Sequence, residues 1–358
     1  MTYALFCTVI DNYGDAGACL RLARELTLQG ETVTLYCDDL KTLQAIALPA
    51  DLTGQSLTIA LWPQSAADYT TAEIVILAFS CRPDGSILTR IEETARLILS
   101  LEYLSAESFV DDFHGLSSPL FKCPCYFFFP GFSAQSGGLN FEERFKERLL
   151  TLPAPVYPAP CETLKVTLFS YRNPALEGVL QLLDGRAGES ELTVFEGLPL
   201  NNLNELLGTA LNPGDRYQNG KLTVKAQAMV PQDRYDEFLI GAHFNLVRGE
   251  DSIVRALLTG HMFLWHIYPQ EENAHLVKLQ AFMDRMRNEV ISREEQDAFE
   301  DYRALMLAYN GEGSFPTLTI DGLGPVMTAV AARFAKRLLE RGSMASSIRA
   351  FVREKCGF

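Results

Sequence analysis

The stretch Tyr3-Ala4-Leu5-Phe6-Cys7-Thr8-Val9-Ile10-Asp11-Asn12-Tyr13-Gly14-Asp15-Ala16-Gly17 decides the fold. Its first eight residues form an apolar run that ends in β-branched Val9 and Ile10, which predicts a strand. Leu20, Leu22, Ala23 and Leu26 then recur at helical spacing, Gly30 stops that helix, and residues 32–37 read as a second strand. Strand, loop, helix and strand make a βαβ unit, so the class is α/β with a parallel sheet. A buried strand at 74–79, a helix over 87–101 and a short aromatic strand at 125–129 complete a first domain spanning residues 1–152.

Pro153, Pro155, Pro158 and Pro160 crowd residues 153–160, which can be neither helix nor central strand and read as a linker. The alternation restarts in a second domain, residues 161–358. It has strands at 163–170, 192–195, 222–226, 243–247 and 262–265, and helices at 176–183 and 252–259, the latter stopped by Gly260. Residues 273–358 read as helices, interrupted at Pro316 and at 322–325, that pack back on the rest.

The 358-residue chain is 47% hydrophobic, enough for substantial cores, and its net charge of −14 argues against nucleic acid or an anionic membrane as partner while favouring a basic protein. The apolar start is too short for a signal peptide or a membrane span, so a cytoplasmic location is expected. Eight scattered cysteines read as buried reduced thiols, and only Cys123 and Cys125 lie close together, without a histidine at ligand spacing; no metal is expected.

Two segments carry chemistry. The loop from Asp11 to Gly17 joins a strand's carboxyl end to a helix's amino end, where parallel sheets place ligands. It is not a dinucleotide fingerprint, because Asp11 and Asp15 stand where a pyrophosphate would sit. These acids suit a cation or a proton transfer; a helix cap by Asp15 and an Asx turn by Asp11 account for them equally well. The second segment is Arg248-Gly249-Glu250-Asp251-Ser252, at a helix start beyond a strand. Free N–H groups, a hydroxyl and an arginine there can hold a diphosphate. Capping by Asp251 or Ser252, and pairing of Glu250 with Arg248, are the alternatives. Around it, Phe169-Ser170-Tyr171-Arg172, Gln232 with Tyr235, and Tyr268 offer rings and an amide that could meet a nucleobase, or belong to the core, as Trp265 does.

Taken together these residues resemble the elongation factor P (EF-P) arginine rhamnosyltransferase family, EarP. The resemblance rests on five blocks. They are residues 9–17 with Arg21-Leu22-Ala23-Arg24; Glu102-Tyr103-Leu104-Ser105-Ala106-Glu107; Gly131-Phe132-Ser133 with Ser136-Gly137-Gly138-Leu139; Arg248-Gly249-Glu250-Asp251-Ser252; and Trp265-His266-Ile267-Tyr268-Pro269-Gln270 with Glu272-Asn273.

The resemblance implies a GT-B glycosyltransferase, two Rossmann-like domains facing across a cleft, that transfers rhamnose from dTDP-β-L-rhamnose to an arginine of EF-P with inversion. It implies that the first domain receives the protein and the second holds the nucleotide sugar. Asp15 matches the family's general base, Asp11 its nearby acid and Glu250 the acid by the donor. Gly17, Tyr171, Gln232, Tyr235, Arg248, Asp251, Ser252 and Tyr268 are the implied donor-binding positions. No cofactor beyond the donor is implied, and without an Asp-x-Asp motif the diphosphate's charge falls to Arg248 and Ser252. Competing readings are another GT-B enzyme using a UDP- or GDP-sugar and a small acceptor, and a nucleotide-sugar-binding protein without catalysis.

Overall fold

The computed structural model describes residues 1–10 and 13–357. Its chain divides into two compact units, Met1–Leu150 with Leu338–Phe358, and Thr151–Arg337.

The first unit opens with β1 (Thr2–Cys7), α1 (Tyr13–Leu28) and β2 (Thr32–Cys37), the βαβ unit expected from the opening residues. It continues through α2 (Leu40–Ile46), α3 (Pro49–Thr53), β3 (Leu57–Leu61), β4 (Ile74–Ala78), α4 (Gly85–Thr94), β5 (Leu97–Leu101), α5 (Phe109–Phe113), β6 (Cys125–Phe128) and α6 (Glu143–Thr151). Six parallel strands lie in the order β3-β2-β1-β4-β5-β6. Every residue of β4 is buried because both faces of the sheet are covered, which is why the central strands are continuous apolar runs.

Strand β1 stops at Cys7, not at residue 10: Val9 N–H turns to Asp38 Oδ1 at 2.9 Å, and Ile10 is 63% exposed. The helix expected over 87–101 is α4 followed by β5, since Ala95 ends the helix and Leu97-Ile98-Leu99 pair with β4 and β6. A short apolar run carries no period that separates strand from helix.

The second unit holds β7 (Leu164–Leu168), α7 (Leu176–Asp184), β8 (Ser190–Phe195), α8 (Leu198–Leu207), β9 (Arg216–Asn219), β10 (Leu222–Gln227), α9 (Gln232–Gly241), β11 (Phe244–Arg248), α10 (Gly249–Leu258) and β12 (Met262–His266). Its sheet runs β12-β11-β7-β8-β10-β9, parallel except for the polar edge strand β9. Helices α11 (Ala274–Arg287), α12 (Arg293–Tyr309) and α13 (Ile320–Glu340) follow, and α14 (Met344–Cys356) ends the chain.

Helix α13 runs through residues 322–325 without interruption, with Pro325 in its second turn. Gly324 has a packing role there: a Cβ on it would lie 2.2 Å from the Tyr157 ring, so only glycine lets the helix approach the proline-rich segment this closely. Residues 153–160 contain no regular element, yet Tyr157 is buried, and that segment falls within the second unit.

The grouping of all residues from 161 to 358 in one domain is corrected by α14, which belongs to the first unit. Its apolar face, Met344, Ala345, Ile348 and Val352, joins the core beneath α1, and Arg349 Nε donates to Glu31 Oε1 at 2.7 Å. All eight cysteines are free; six are buried, whereas Cys161 is exposed and Cys356 half-buried.

Candidate active site

In each sheet the chain reverses its winding direction next to the first strand: between β1 and β4 in the first unit, and between β7 and β11 in the second. Loops leaving the carboxyl ends of such neighbouring strands diverge and open a crevice, the usual ligand position in open α/β sheets. Both acid-bearing segments singled out in the sequence leave these strands.

In the first unit, α1 begins at Tyr13, so Asp15 stands in its first turn, where the helix dipole favours a carboxylate. Asp15 is 4% exposed, and its Oδ2 accepts the Ile10 N–H at 2.8 Å. The side chain therefore ties the loop back to the helix start as well as presenting an acid at the sheet edge. Asp11 lies outside the described residues. Gly17 is buried within α1.

The position of α1 is set by a buried ionic network that sequence inspection missed. Arg24 grips Asp51 of α3 through two bonds, Nε to Oδ1 at 2.9 Å and Nη2 to Oδ2 at 2.5 Å. Arg21 and Arg24 both reach Glu142 Oε1, at 3.2 and 3.4 Å. Arg21 and Glu142 are each 1% exposed, so their charges hold together only as a set. Arg21-Leu22-Ala23-Arg24, quoted above only as part of a resemblance, thus has a physical role: both arginines turn inward. Opposite the first loop, Phe79 and Ser80 follow β4 with φ of +56° and +59°. The left-handed pair is held by the Phe79 N–H bond to Leu101 O at 2.7 Å and by stacking of Phe79 on Tyr103 at 4.6 Å.

In the second unit, Arg248 ends β11 and precedes α10. Its guanidinium carbon lies 4.6 Å from the Phe169 centroid and 4.6 Å from that of Tyr171, both just beyond β7. Two rings thus hold the cation, while no carboxylate lies within ion-pair distance among the described residues. The alternative of a Glu250–Arg248 pair is accordingly not realised. Gly249, with φ of +60°, turns the chain from strand to helix directly behind this arginine.

Glu250, Asp251 and Ser252 follow in the first turn of α10, with Ser252 buried. Gln232 Nε2 donates to Asp251 Oδ2 at 3.4 Å, and below that bond Arg255 Nε donates to buried Asp236 Oδ1 at 3.0 Å, locking α9 to α10. Tyr235 packs into the aromatic cluster of Phe169 and Phe195, at 5.5 and 5.2 Å.

Tyr268 is 46% exposed and stands edge-on to Tyr171 at 5.4 Å. Its segment is held by Asn310, whose Oδ1 accepts the Ile267 N–H at 3.1 Å while Nδ2 donates to Trp265 O at 2.8 Å. Trp265 is core, and its indole N–H reaches Gly249 O at 2.9 Å, fixing the start of α10. Buried His266 packs against Tyr171 and Tyr309, and burial, then Arg248 and His275, push its pKa down to about 4, leaving a neutral ring beside the cation. Arg172 points elsewhere and pairs with Glu205 at 2.6 Å.

The second unit therefore brings Tyr171, Arg248, Tyr268 and the amino end of α10 to one sheet edge. It can hold an anion with a fixed cation and a helix terminus. The first unit presents Asp15 at the corresponding edge, suited to a cationic group or a proton. Phe169 and His266 were visible only as members of motifs, and Asn310 carried no signal in the sequence; their roles arise from packing.

Residues 3–353 match the family model described as Elongation-Factor P (EF-P) rhamnosyltransferase EarP. The protein-arginine rhamnosyltransferase of Pseudomonas putida is 37% identical over 310 residues, 80% of this chain and 81% of that protein. That of Pseudomonas aeruginosa is 37% identical over 335 residues, 87% and 88% of the two chains.

A solved structure from work on EarP-mediated arginine glycosylation of translation elongation factor EF-P is similar with a TM-score of 0.66 at 24% identity, covering 99% of both chains. Arabidopsis thaliana UGT89C1 complexed with UDP shares the fold at a TM-score of 0.52 and 12% identity, again over 99% of both chains. Family model, relatives and fold coincide over nearly the whole length, and the chain belongs to the EarP family of EF-P rhamnosyltransferases, glycosyltransferases of GT-B fold.

Proposed function

We propose that this chain transfers rhamnose from dTDP-β-L-rhamnose to an arginine of EF-P with inversion, using Asp15 as the base and the Arg248 segment as the donor-diphosphate site. EF-P is the acceptor substrate of the EarP family. What carries the donor half of the reading is Arg248, a cation held between two rings at the switch point of the second sheet, with a helix amino end beside it.

A guanidinium has a pKa above about 12, so complete deprotonation at pH 7 would cost about 7 kcal/mol. Asp15 therefore has two tasks: to orient the cation, and to take its proton as the nitrogen bonds to C1 of the sugar. Attack comes from the face opposite the diphosphate, so the anomeric centre inverts and the C1–O bond electrons leave with dTDP. Asp11 shares the first task. On the donor side, Arg248, Ser252 and the α10 amino end meet the charge that gathers on the leaving group. Their potential is fixed, so we assign no metal to the reaction. Glu250 and Asp251 in the same turn oppose a diphosphate, and we assign Glu250 to the sugar side of the donor.

Tyr171 and Tyr268 supply rings, and Gln232 an amide, for the nucleotide; we place Tyr235 behind them as support. Gly17, buried in α1, is assigned to the donor-binding positions. The first unit then receives EF-P and the second the donor. We read the enzyme as cytoplasmic. No helix among the described residues is long and apolar enough to cross a membrane.

Mass spectrometry of EF-P incubated with the chain and dTDP-rhamnose tests the proposal. The expected product carries one deoxyhexose on a single arginine; no product, or equal transfer from UDP- or GDP-sugars, would refute it.

A further inference from the structure

In the first unit, α5 and the end of β6 present an aromatic surface. Phe109 and Phe113 are 38% and 49% exposed, one helical turn apart, with ring centroids separated by 6.4 Å. Phe109 meets Phe129 edge-on at 5.7 Å, and Phe129 lies 6.3 Å from Phe127. Leu116, 50% exposed, follows in the segment that pairs with β6. Contiguous exposed rings of this kind mark an interaction surface, because their area gains most from leaving water.

The surface is rigidly mounted. His114 Nδ1 accepts the Phe129 N–H at 3.1 Å, the Gly115 N–H reaches Phe127 O at 2.8 Å, and Phe127 N–H returns to Leu116 O at 3.0 Å. Val110 of the same helix is buried, and the Ser133 hydroxyl donates to Asp111. A preorganised patch loses little side-chain freedom on binding.

Its place in the sheet says what covers it. Helix α5 follows β5, and Phe129 follows β6, so the patch lies along the carboxyl edge of the first sheet, the edge that also carries Asp15. Three strand spacings separate β1 from β6, about 14 Å. A specific protein complex covers about 800 Å² per partner, a disc roughly 30 Å across. A folded protein that delivers an arginine to Asp15 therefore overlaps the patch. Glu107, Asp111 and Asp112 border the rings, and with the chain's charge of −14 they select a basic partner.

We propose that Phe109, Phe113, Leu116 and Phe129 form the docking surface for the folded acceptor protein, whose apolar face seats on the rings while its arginine reaches Asp15. The inference rests on EF-P being the acceptor, and the test separates the two. Binding of EF-P and of dTDP-sugar is measured by calorimetry, and transfer by mass spectrometry, for wild type, Phe109→Ala/Phe113→Ala and Leu28→Ala, an exposed control. The double variant should bind EF-P at least about tenfold more weakly, the loss typical when interface aromatics are truncated. Donor affinity should not change, and Leu28→Ala should behave as wild type.

Should the double variant fail to fold, Phe113→Ala alone should still weaken EF-P binding at least about threefold. A folded patch variant with wild-type affinity for EF-P would overturn the surface. So would a variant that only converts a dimer to a monomer in light scattering, which would assign the rings to a second copy. A wild-type chain that binds EF-P without transfer would fault the reaction while leaving the binding arms to decide the surface; one that does not bind EF-P would overturn both.

Discussion

Arg248 ends β11 and Tyr171 lies just beyond β7, and the guanidinium carbon of the first is 4.6 Å from the ring centroid of the second. Phe169 stands at the same distance, so two rings orient a cation that has no carboxylate within ion-pair reach among the described residues. A planar guanidinium can lie flat on a ring and still present N–H groups at its rim. Arg248→Lys keeps the charge without that geometry. We expect it to weaken dTDP-sugar binding about tenfold, Arg248→Ala about 10- to 100-fold and Ser252→Ala less than either, because a charged hydrogen bond to phosphate is the stronger. Calorimetry giving wild-type affinity for Arg248→Ala would move the diphosphate away from this helix.

Asp15 stands in the first turn of α1, beyond the carboxyl end of β1, and accepts the Ile10 N–H. Asparagine retains an oxygen for that bond and loses the basicity. Asp15→Asn should therefore leave donor affinity and thermal stability near wild type while cutting turnover at least about 100-fold. Turnover equal to wild type at saturating substrates would reduce Asp15 to a loop tie.

Glu142 holds two buried arginines of α1. In Glu142→Gln the charge that balances Arg21 and Arg24 disappears in a place that water does not reach. The expected cost is about 3 to 5 kcal/mol, read as a lower urea midpoint. A midpoint within the error of wild type would mean that the two arginines do not depend on the Glu142 charge.

Burial holds His266 and His261 neutral, each with a pKa pushed down to about 4. An unfolded histidine titrates near 6.5, so below that pH the unfolded chain binds protons that the folded one refuses. Stability is thus complete above about pH 6.5 and falls as pH drops toward 4, by up to about 1.4 kcal/mol per pH unit for each histidine. His266→Phe keeps a ring against Tyr171 and should lose part of this slope. Urea titrations at about pH 5 and pH 7 that give both proteins the same slope would show that His266 is protonated in the fold.

Local patterning along the chain was enough to determine the βαβ opening, the second α/β unit, and the two acid-bearing segments at strand ends. Those signals repeat every two to four residues and depend on neighbours in sequence. It was not enough to divide residues 87–101 into α4 and β5, since both are short and apolar. Tertiary structure alone decided that Arg248 meets rings from the segment after β7, that Trp265 reaches back to Gly249, and that Arg21 and Arg24 face Glu142, contacts made between residues 16 to 121 positions apart. It also placed α14 with the first unit, after nearly two hundred residues of the second. A helix's apolar stripe states that it must be covered; which surface covers it depends on where the chain has already packed.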